Sequence, residues 1–206
     1  MNSYKNLRLL LNQYNLVLAS RSPRRVRMLT QIGVAFRQIP ADIDEREDLH
    51  PEPFRLAEIL SRLKAEAVLP RVDDGEIIMG CDTIVVLDNE IIGKPDSPDR
   101  AVEMLLRLSG RKHTVCSAIT LFAGGEDAVS GHELTDVYFR TPPREALERY
   151  AATGEPLDKA GAYGIQGKGG FLVDRINGNL DNVIGLPLDL LDELAGRYAK
   201  NKGLYD

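Results

Sequence analysis

The chain has 206 residues, 43% of them hydrophobic and 28% charged, with a formal net charge of −5. That length supports a sizeable core in one domain of two lobes at most, and the acidic balance makes a nucleic-acid polymer a poor partner. The longest apolar runs are too short for a bilayer and MNSYKNLRLLLNQYN lacks a secretory cleavage pattern, so a cytoplasmic protein with no membrane partner is expected.

Leu16–Ser20 reads as a buried strand. Ser22 is placed to cap a helix with Pro23 at its first position, where the missing N–H costs nothing, and Gly33 stops it. Val26, Met28, Leu29 and Ile32 share one broad side of that helix. Phe36–Pro40 follows as a strand, then the acidic loop Asp42–Glu45. A helix is predicted from Pro53 to Leu69, with Leu56, Ile59, Leu60, Leu63 and Ala67 as its apolar stripe and Lys64 on the flank. EIIMGCDTIVVLDNEIIGKP gives a strand, a turn at Asp88-Asn89 and a returning strand. Ser97 or Pro98 opens a helix on which Ala101, Met104, Leu105 and Leu108 align.

Residues 112–123 and 127–139 form long strands joined through Gly124-Gly125. Thr141 caps a short helix ending at Tyr150. Gly154–Gly170 is glycine-rich and without period, the kind of long loop that is functional or disordered. Phe171–Ile176 is a strand and Pro187–Tyr198 an amphipathic helix. Helices and strands alternate early and strands pair later, which predicts an α/β fold with a mixed sheet. The two cysteines, Cys81 and Cys116, lie in apolar stretches without CxxC spacing, and His50, His113 and His132 are isolated, so neither disulfides nor a zinc site is indicated.

Several side chains stand out chemically. A helix N-terminus attracts anions, and placing Arg24 and Arg25 there works against the helix dipole unless an anion fills the site. Arg25 falls on the inward side with Met28 and Leu29, where its forked donors require a phosphate or a carboxylate. No Walker loop or GxGxxG occurs, and GKGG at 167–170 lacks P-loop spacing. Asp82 interrupts an apolar strand, a costly placement unless it is paired, protonated or bound to a metal. It reads as a general base or a ligand of a hard cation such as Mg²⁺ or Mn²⁺, or as half of a buried salt bridge, to Lys94 for example. Glu45 is a second ligand or part of an exposed acidic loop. Lys64 and Lys94 are site cations or solvated lysines, and the amide of Gln166, set among glycines, has the donor and acceptor to read a base.

The segments LASRSPRR, IDE, GCDTIVV, GKP, TDVYF, GEPLDKAGAYGIQG and NVIGLPL occur in the order seen in the Maf family of nucleoside triphosphate pyrophosphatases. The chain resembles that family from about Leu16 to Pro187. The resemblance implies hydrolysis of a nucleoside triphosphate to monophosphate and pyrophosphate with a divalent cation, Mg²⁺ or Mn²⁺. It implies a mixed central sheet flanked by helices, in two lobes around a deep cleft as in inosine triphosphate pyrophosphatases, and a homodimer. SPRR, DT and YGIQG together resemble the branch acting on dTTP, UTP and modified pyrimidine nucleotides. By position Asp82 corresponds to the catalytic acid/base. Arg24, Thr83 and Gln166 match positions of substrate choice, and Ser20, Arg25, Glu45, Lys64 and Lys94 match other substrate-cleft residues, with Glu45 and Asp82 holding the metal. Asn179-Leu180-Asp181 departs from the serine and aromatic residue of many relatives, and the first 14 residues lie outside the match. A nucleotide-binding regulator of cell division that does not hydrolyse its ligand, or the branch acting on 7-methyl-GTP, would use much of the same set.

Overall fold

The computed structural model describes residues 4–46, 49–124 and 128–204. Helix α1 spans Lys5–Leu11, strand β1 Asn15–Ala19, α2 Pro23–Gln31, β2 Phe36–Gln38 and α3 Pro53–Val68. Strand β3 (Glu76–Leu87) returns as β4 (Glu90–Ile91), followed by α4 (Pro98–Leu108). Strands β5 (Lys112–Phe122) and β6 (Val129–Phe139) lead to α5 (Arg144–Ala151), β7 (Val173–Asn177), α6 (Leu180–Ile184) and α7 (Leu188–Asn201). Among the described residues the strands make one seven-stranded mixed sheet in the order β2-β1-β3-β5-β6-β7, with β4 beside β3. β1 is parallel to β2 and β3, whereas β3–β4 and β6–β7 are antiparallel. Among the described residues no helix is long and apolar enough to cross a membrane.

The chain divides into two compact units, one of Met1–Asp82, Ser117–Glu133 and Gly185–Asp206, the other of Thr83–Cys116 and Leu134–Ile184. In the first, α2 starts as its sequence dictates: Ser22 Oγ accepts the Arg25 amide at 3.5 Å and Pro23 takes the first turn. It ends because Gly33 adopts a φ of 73°, which lets the Gly33 and Val34 amides reach the Thr30 and Leu29 carbonyls. Val17, Ala19, Ala65, Val68, Ile78 and Phe122 form a core around β1, β3 and α3. The N-terminal stretch, which carries no prediction from its sequence, forms α1 and packs on α7. There Asp192 accepts the Leu7 amide at 2.9 Å and the Asn6 side-chain amide at 3.0 Å.

In the second unit Asp88 and Asn89 both take positive φ, 51° and 66°, as a two-residue hairpin demands. Ser97 caps α4, and Ala101, Met104, Leu105 and Leu108 are buried as their spacing predicts. The expected cap at Thr141 is absent. A residue preceding proline avoids the α region, so the Pro142-Pro143 pair delays α5 to Arg144, and Pro143 occupies the cap position without a side-chain bond. The predicted strand at Phe171 starts late, at Val173, because Lys168–Leu172 forms a 3₁₀ turn. Gly125 and Asp127, assigned to the β5–β6 connection and the start of β6, lie outside the described residues.

One buried base couples this second unit to pH. His113 is fully buried against Phe139 and Tyr163, both edge-on at 4.8 and 5.4 Å between ring centroids, and its Nε2 shares a 2.9 Å hydrogen bond with the Tyr163 hydroxyl. Its Nδ1 has no partner among the described residues. Burial pushes the imidazole down to about 4, against the pull of the Asp136 carboxylate. The unfolded ring binds a proton at higher pH than the folded one, so this contribution to stability is complete above pH 6.5 and falls as pH drops toward 4. Between pH 7 and pH 4 the loss through this ring is about 3 kcal/mol. Urea unfolding of His113→Phe should lack that share of the wild-type pH dependence; an unchanged slope would show that the ring is not the source.

Candidate active site

The candidate chemistry in the first unit is built where α3 crosses β3. A Cβ placed on Gly80 would collide with the Ser61 carbonyl and lie 2.9 Å from the Ala65 amide nitrogen, so the helix backbone rests directly on the strand. The residues of α3 that meet Gly80 are accordingly small, Ser61 and Ala65. Ser61 Oγ donates to the Glu58 carbonyl and lies 2.7 Å from Thr120 Oγ1, itself 2.8 Å from Ser130 Oγ. These hydroxyls satisfy one another.

This contact turns α3 relative to the predicted stripe. Leu56 and Leu60 are buried as expected, but Ile59 and Leu63 are only half-buried and Ala67 is exposed. Lys64, expected on the flank, lies within the buried face. Its ammonium reaches Asp82 Oδ1 at 2.6 Å and Glu45 Oε1 at 2.7 Å. The salt-bridge alternative for Asp82 is thus realised, with Lys64 and not Lys94 as the cation. Asp82 is the inner partner, its side chain 6% exposed, and Glu45 the outer one at 42%. Among the described residues the second oxygen of Asp82, Oδ2, is buried with no hydrogen-bond partner. A buried carboxylate oxygen left unpaired is costly, so the site suits a further donor or a cation there.

Arg25 is buried as its spacing predicts and is bound into the frame. Its Nε donates to the Gly185 carbonyl at 2.9 Å, and its Nη1 donates to Ser20 Oγ and to the Cys81 carbonyl, both at 3.0 Å. One guanidinium therefore pins the end of β1 and the peptide immediately before Asp82. Ser20 also accepts the Ser22 amide at 3.2 Å, and Arg24 is half-buried in the first turn of α2. The thiol of Cys81 is pushed up by burial and stays protonated and inert.

Thus Ser20, Arg25, Glu45, Lys64 and Asp82 lie together in the first unit, the last three joined through one ammonium, and Arg24 follows Pro23 in the first turn of α2. Thr83, Lys94 and Gln166 belong to the second unit, where Thr83 is half-buried and Lys94 and Gln166 are exposed. Among the described residues no group of three or more His, Cys, Asp or Glu side chains gathers as for a metal. Gly80, whose missing side chain the whole arrangement needs, was not singled out from the sequence; a glycine inside an otherwise apolar strand is the signal for such an approach.

The description "Maf-like protein" matches residues 15–197. The chain belongs to the Maf family. Maf relatives of similar sequence include a protein of Moorella thermoacetica, 46% identical over 87% of this chain and 92% of its own length, named dTTP/UTP pyrophosphatase. One from Escherichia coli strain 536 carries the same name and is 42% identical over 89% of this chain and 93% of its own. Among solved structures, a HAM1 protein from Coxiella burnetii is similar at 18% identity and a TM-score of 0.45, over 63% of this chain and 75% of that one. Helix α1 precedes the Maf match, whereas the α3–β3 crossing and its ion pair lie inside it.

Replacing Gly80 by alanine tests the crossing on which the candidate site is built. The added methyl must push α3 off β3, and the overpacking should cost about 1–3 kcal/mol in chemical unfolding. Retention of wild-type stability by Gly80→Ala would mean that the two backbones do not touch.

Proposed function

We propose that this chain hydrolyses pyrimidine nucleoside triphosphates, dTTP, UTP and their modified analogues, to nucleoside monophosphate and pyrophosphate. Relatives 42–47% identical over most of the chain, named dTTP/UTP pyrophosphatase, support the reading. The observation that carries the chemistry is the buried Oδ2 of Asp82, which has no hydrogen-bond partner among the described residues. In this reading a water oxygen attacks the α-phosphorus, the bond from that phosphorus to the bridging oxygen of the leaving pyrophosphate breaks, and the Asp82 carboxylate takes the proton the water releases. Lys64, bonded to Oδ1, fixes the carboxylate so that Oδ2 is its available acceptor. Arg25, itself bonded to Ser20 Oγ, holds the peptide preceding Asp82, while Arg24 receives phosphate oxygens.

Two carboxylates also fit a divalent cation. Mg²⁺ and Mn²⁺ take oxygen donors, and Mg²⁺ typically binds one or two protein carboxylates while keeping waters and substrate phosphates. Asp82 and Glu45 would hold such an ion, and when bound it supplies neutralisation of phosphate charge and a more acidic water. In the second unit Lys94 would help to hold phosphate and Gln166 would read the O4 and N3–H edge of the pyrimidine, while the family resemblance makes Thr83 a position of substrate choice. A cytoplasmic homodimer without nucleic-acid or membrane partners completes the reading; the family resemblance supports the dimer, and the net charge of −5 disfavours a polyanionic partner.

General-base help is worth about 10²–10⁴-fold, so Asp82→Asn should lower kcat at least about a hundredfold while unfolding cooperatively. Near-normal turnover would remove Asp82 from the reaction. Pyrophosphate release measured on dTTP, UTP, CTP and GTP should favour the first two, stop with a chelator and resume with Mg²⁺ or Mn²⁺. Tight binding without release would make the protein a nucleotide sensor, and preference for GTP would place it in the guanine branch.

A further inference from the structure

The glycine-rich stretch after α5 is organised by a single carboxylate. Glu155 opens a 3₁₀ turn (Glu155–Asp158), and its side chain reaches back over the loop. Its Oε1 accepts the Tyr150 hydroxyl at 3.0 Å and the Gly169 amide at 3.2 Å, and its Oε2 accepts the Lys168 amide at 3.0 Å. The Tyr150 hydroxyl in turn accepts the Gly164 amide at 3.2 Å. The Gly164 carbonyl accepts the Gly167 amide at 3.2 Å, which closes a four-residue turn with Gln166 as its third residue. Both flanks of that turn are therefore tied to Glu155, one directly and one through Tyr150. Gln166 stands exposed between them.

The neighbouring glycines fit this bracket. A Cβ on Gly167 would run into the Glu155 carboxylate, and one on Gly169 would lie 2.5 Å from the Tyr150 hydroxyl. Tyr150 is itself buried on α5 in the core of the second unit, so the bracket hangs from a rigid element. Burial alone would raise the Glu155 carboxyl, but the two amides and the phenol outweigh it and hold the group below its ordinary range. Hydrogen bonds to an ionised acceptor are about twice as strong as neutral ones, which suits a clamp.

We propose that Glu155 is the positioning residue for base recognition: its carboxylate holds the Gln166 turn in place, so that selectivity among nucleoside triphosphates depends on it although it acts only through Gln166. This rests on the reading of Gln166 as the group that meets the base. A small misplacement of a recognition group is expensive, about a hundredfold for 1 Å in unfavourable cases. Glutamine at 155 is nearly isosteric but turns an acceptor into a donor facing an amide or the phenol, which should let the turn drift.

The test is kcat and KM on dTTP, UTP, CTP and GTP for the wild type, Gln166→Ala, Glu155→Gln and the double variant. Glu155→Gln should raise KM for dTTP about tenfold or more, as loss of ground-state and transition-state binding alike, while kcat changes less than about threefold. The dTTP-over-CTP ratio of kcat/KM should narrow, and the double variant should discriminate no worse than Gln166→Ala alone, because both changes act through one group. Tyr150→Phe removes the phenol from the same bracket, should narrow the ratio in the same direction, and decides the matter if Glu155→Gln does not fold. If Gln166→Ala loses selectivity while Glu155→Gln and Tyr150→Phe keep it, the positioning role is wrong and the reading of Gln166 stands. If Gln166→Ala discriminates like the wild type, that reading falls and the proposal with it. Extra loss in the double variant would mean that Glu155 acts by another route.

Discussion

A lysine ammonium held between two carboxylates inside an apolar crossing is the constraint from which the rest of the first unit follows. Lys64 gives up most of its hydration to meet Asp82, and an isolated buried ion of either sign would cost several kcal/mol. The pair is tolerable only if the helix carrying the lysine comes close enough to the strand carrying the aspartate. That closeness is what the absent side chain of Gly80, the small residues of α3 that meet it and the satisfied hydroxyls of Ser61 and Thr120 provide. Glu45 meets the same ammonium from its outer side, so that Lys64 is shared between two carboxylates.

The basic residues of this unit divide into two kinds. Arg25 and Lys64 are buried and spend their donors on protein partners, so they act by holding the backbone and the carboxylate in place. Arg24, half-buried in the first turn of α2, is the one proposed to meet phosphate oxygens. Preorganisation of this sort is how phosphoryl transfer is catalysed in general, since positioning and electrostatic stabilisation carry most of the effect. In the second unit Glu155 uses its charge the same way, bracketing a turn in place of reaching outward.

Much of this was legible from residues alone. The strand at β1, the Ser22 and Ser97 caps, the Asp88-Asn89 hairpin and the inward Arg25 each follow from local rules, because local hydrogen bonding decides them. Asp82 stood out since a carboxylate in an apolar strand needs a reason. The place of Lys64 was not legible: an apolar stripe counts a lysine as flank, and its partner lies on another element. Thr141 failed as a cap because two prolines outrank a hydroxyl. The role of Glu155 is not legible in the sequence, because only the folded path brings the Lys168 and Gly169 amides to it.

The central claim, that Lys64 and Asp82 are energetically one unit, is tested most directly by a double-mutant cycle in chemical unfolding. Lys64→Met alone should cost about 3–5 kcal/mol, because it strands a buried carboxylate. Adding Asp82→Asn to that variant should recover part of the loss, with a coupling of at least about 1 kcal/mol between the two sites. Costs that simply add would contradict the account, since they would mean that the two charges stand in the fold independently.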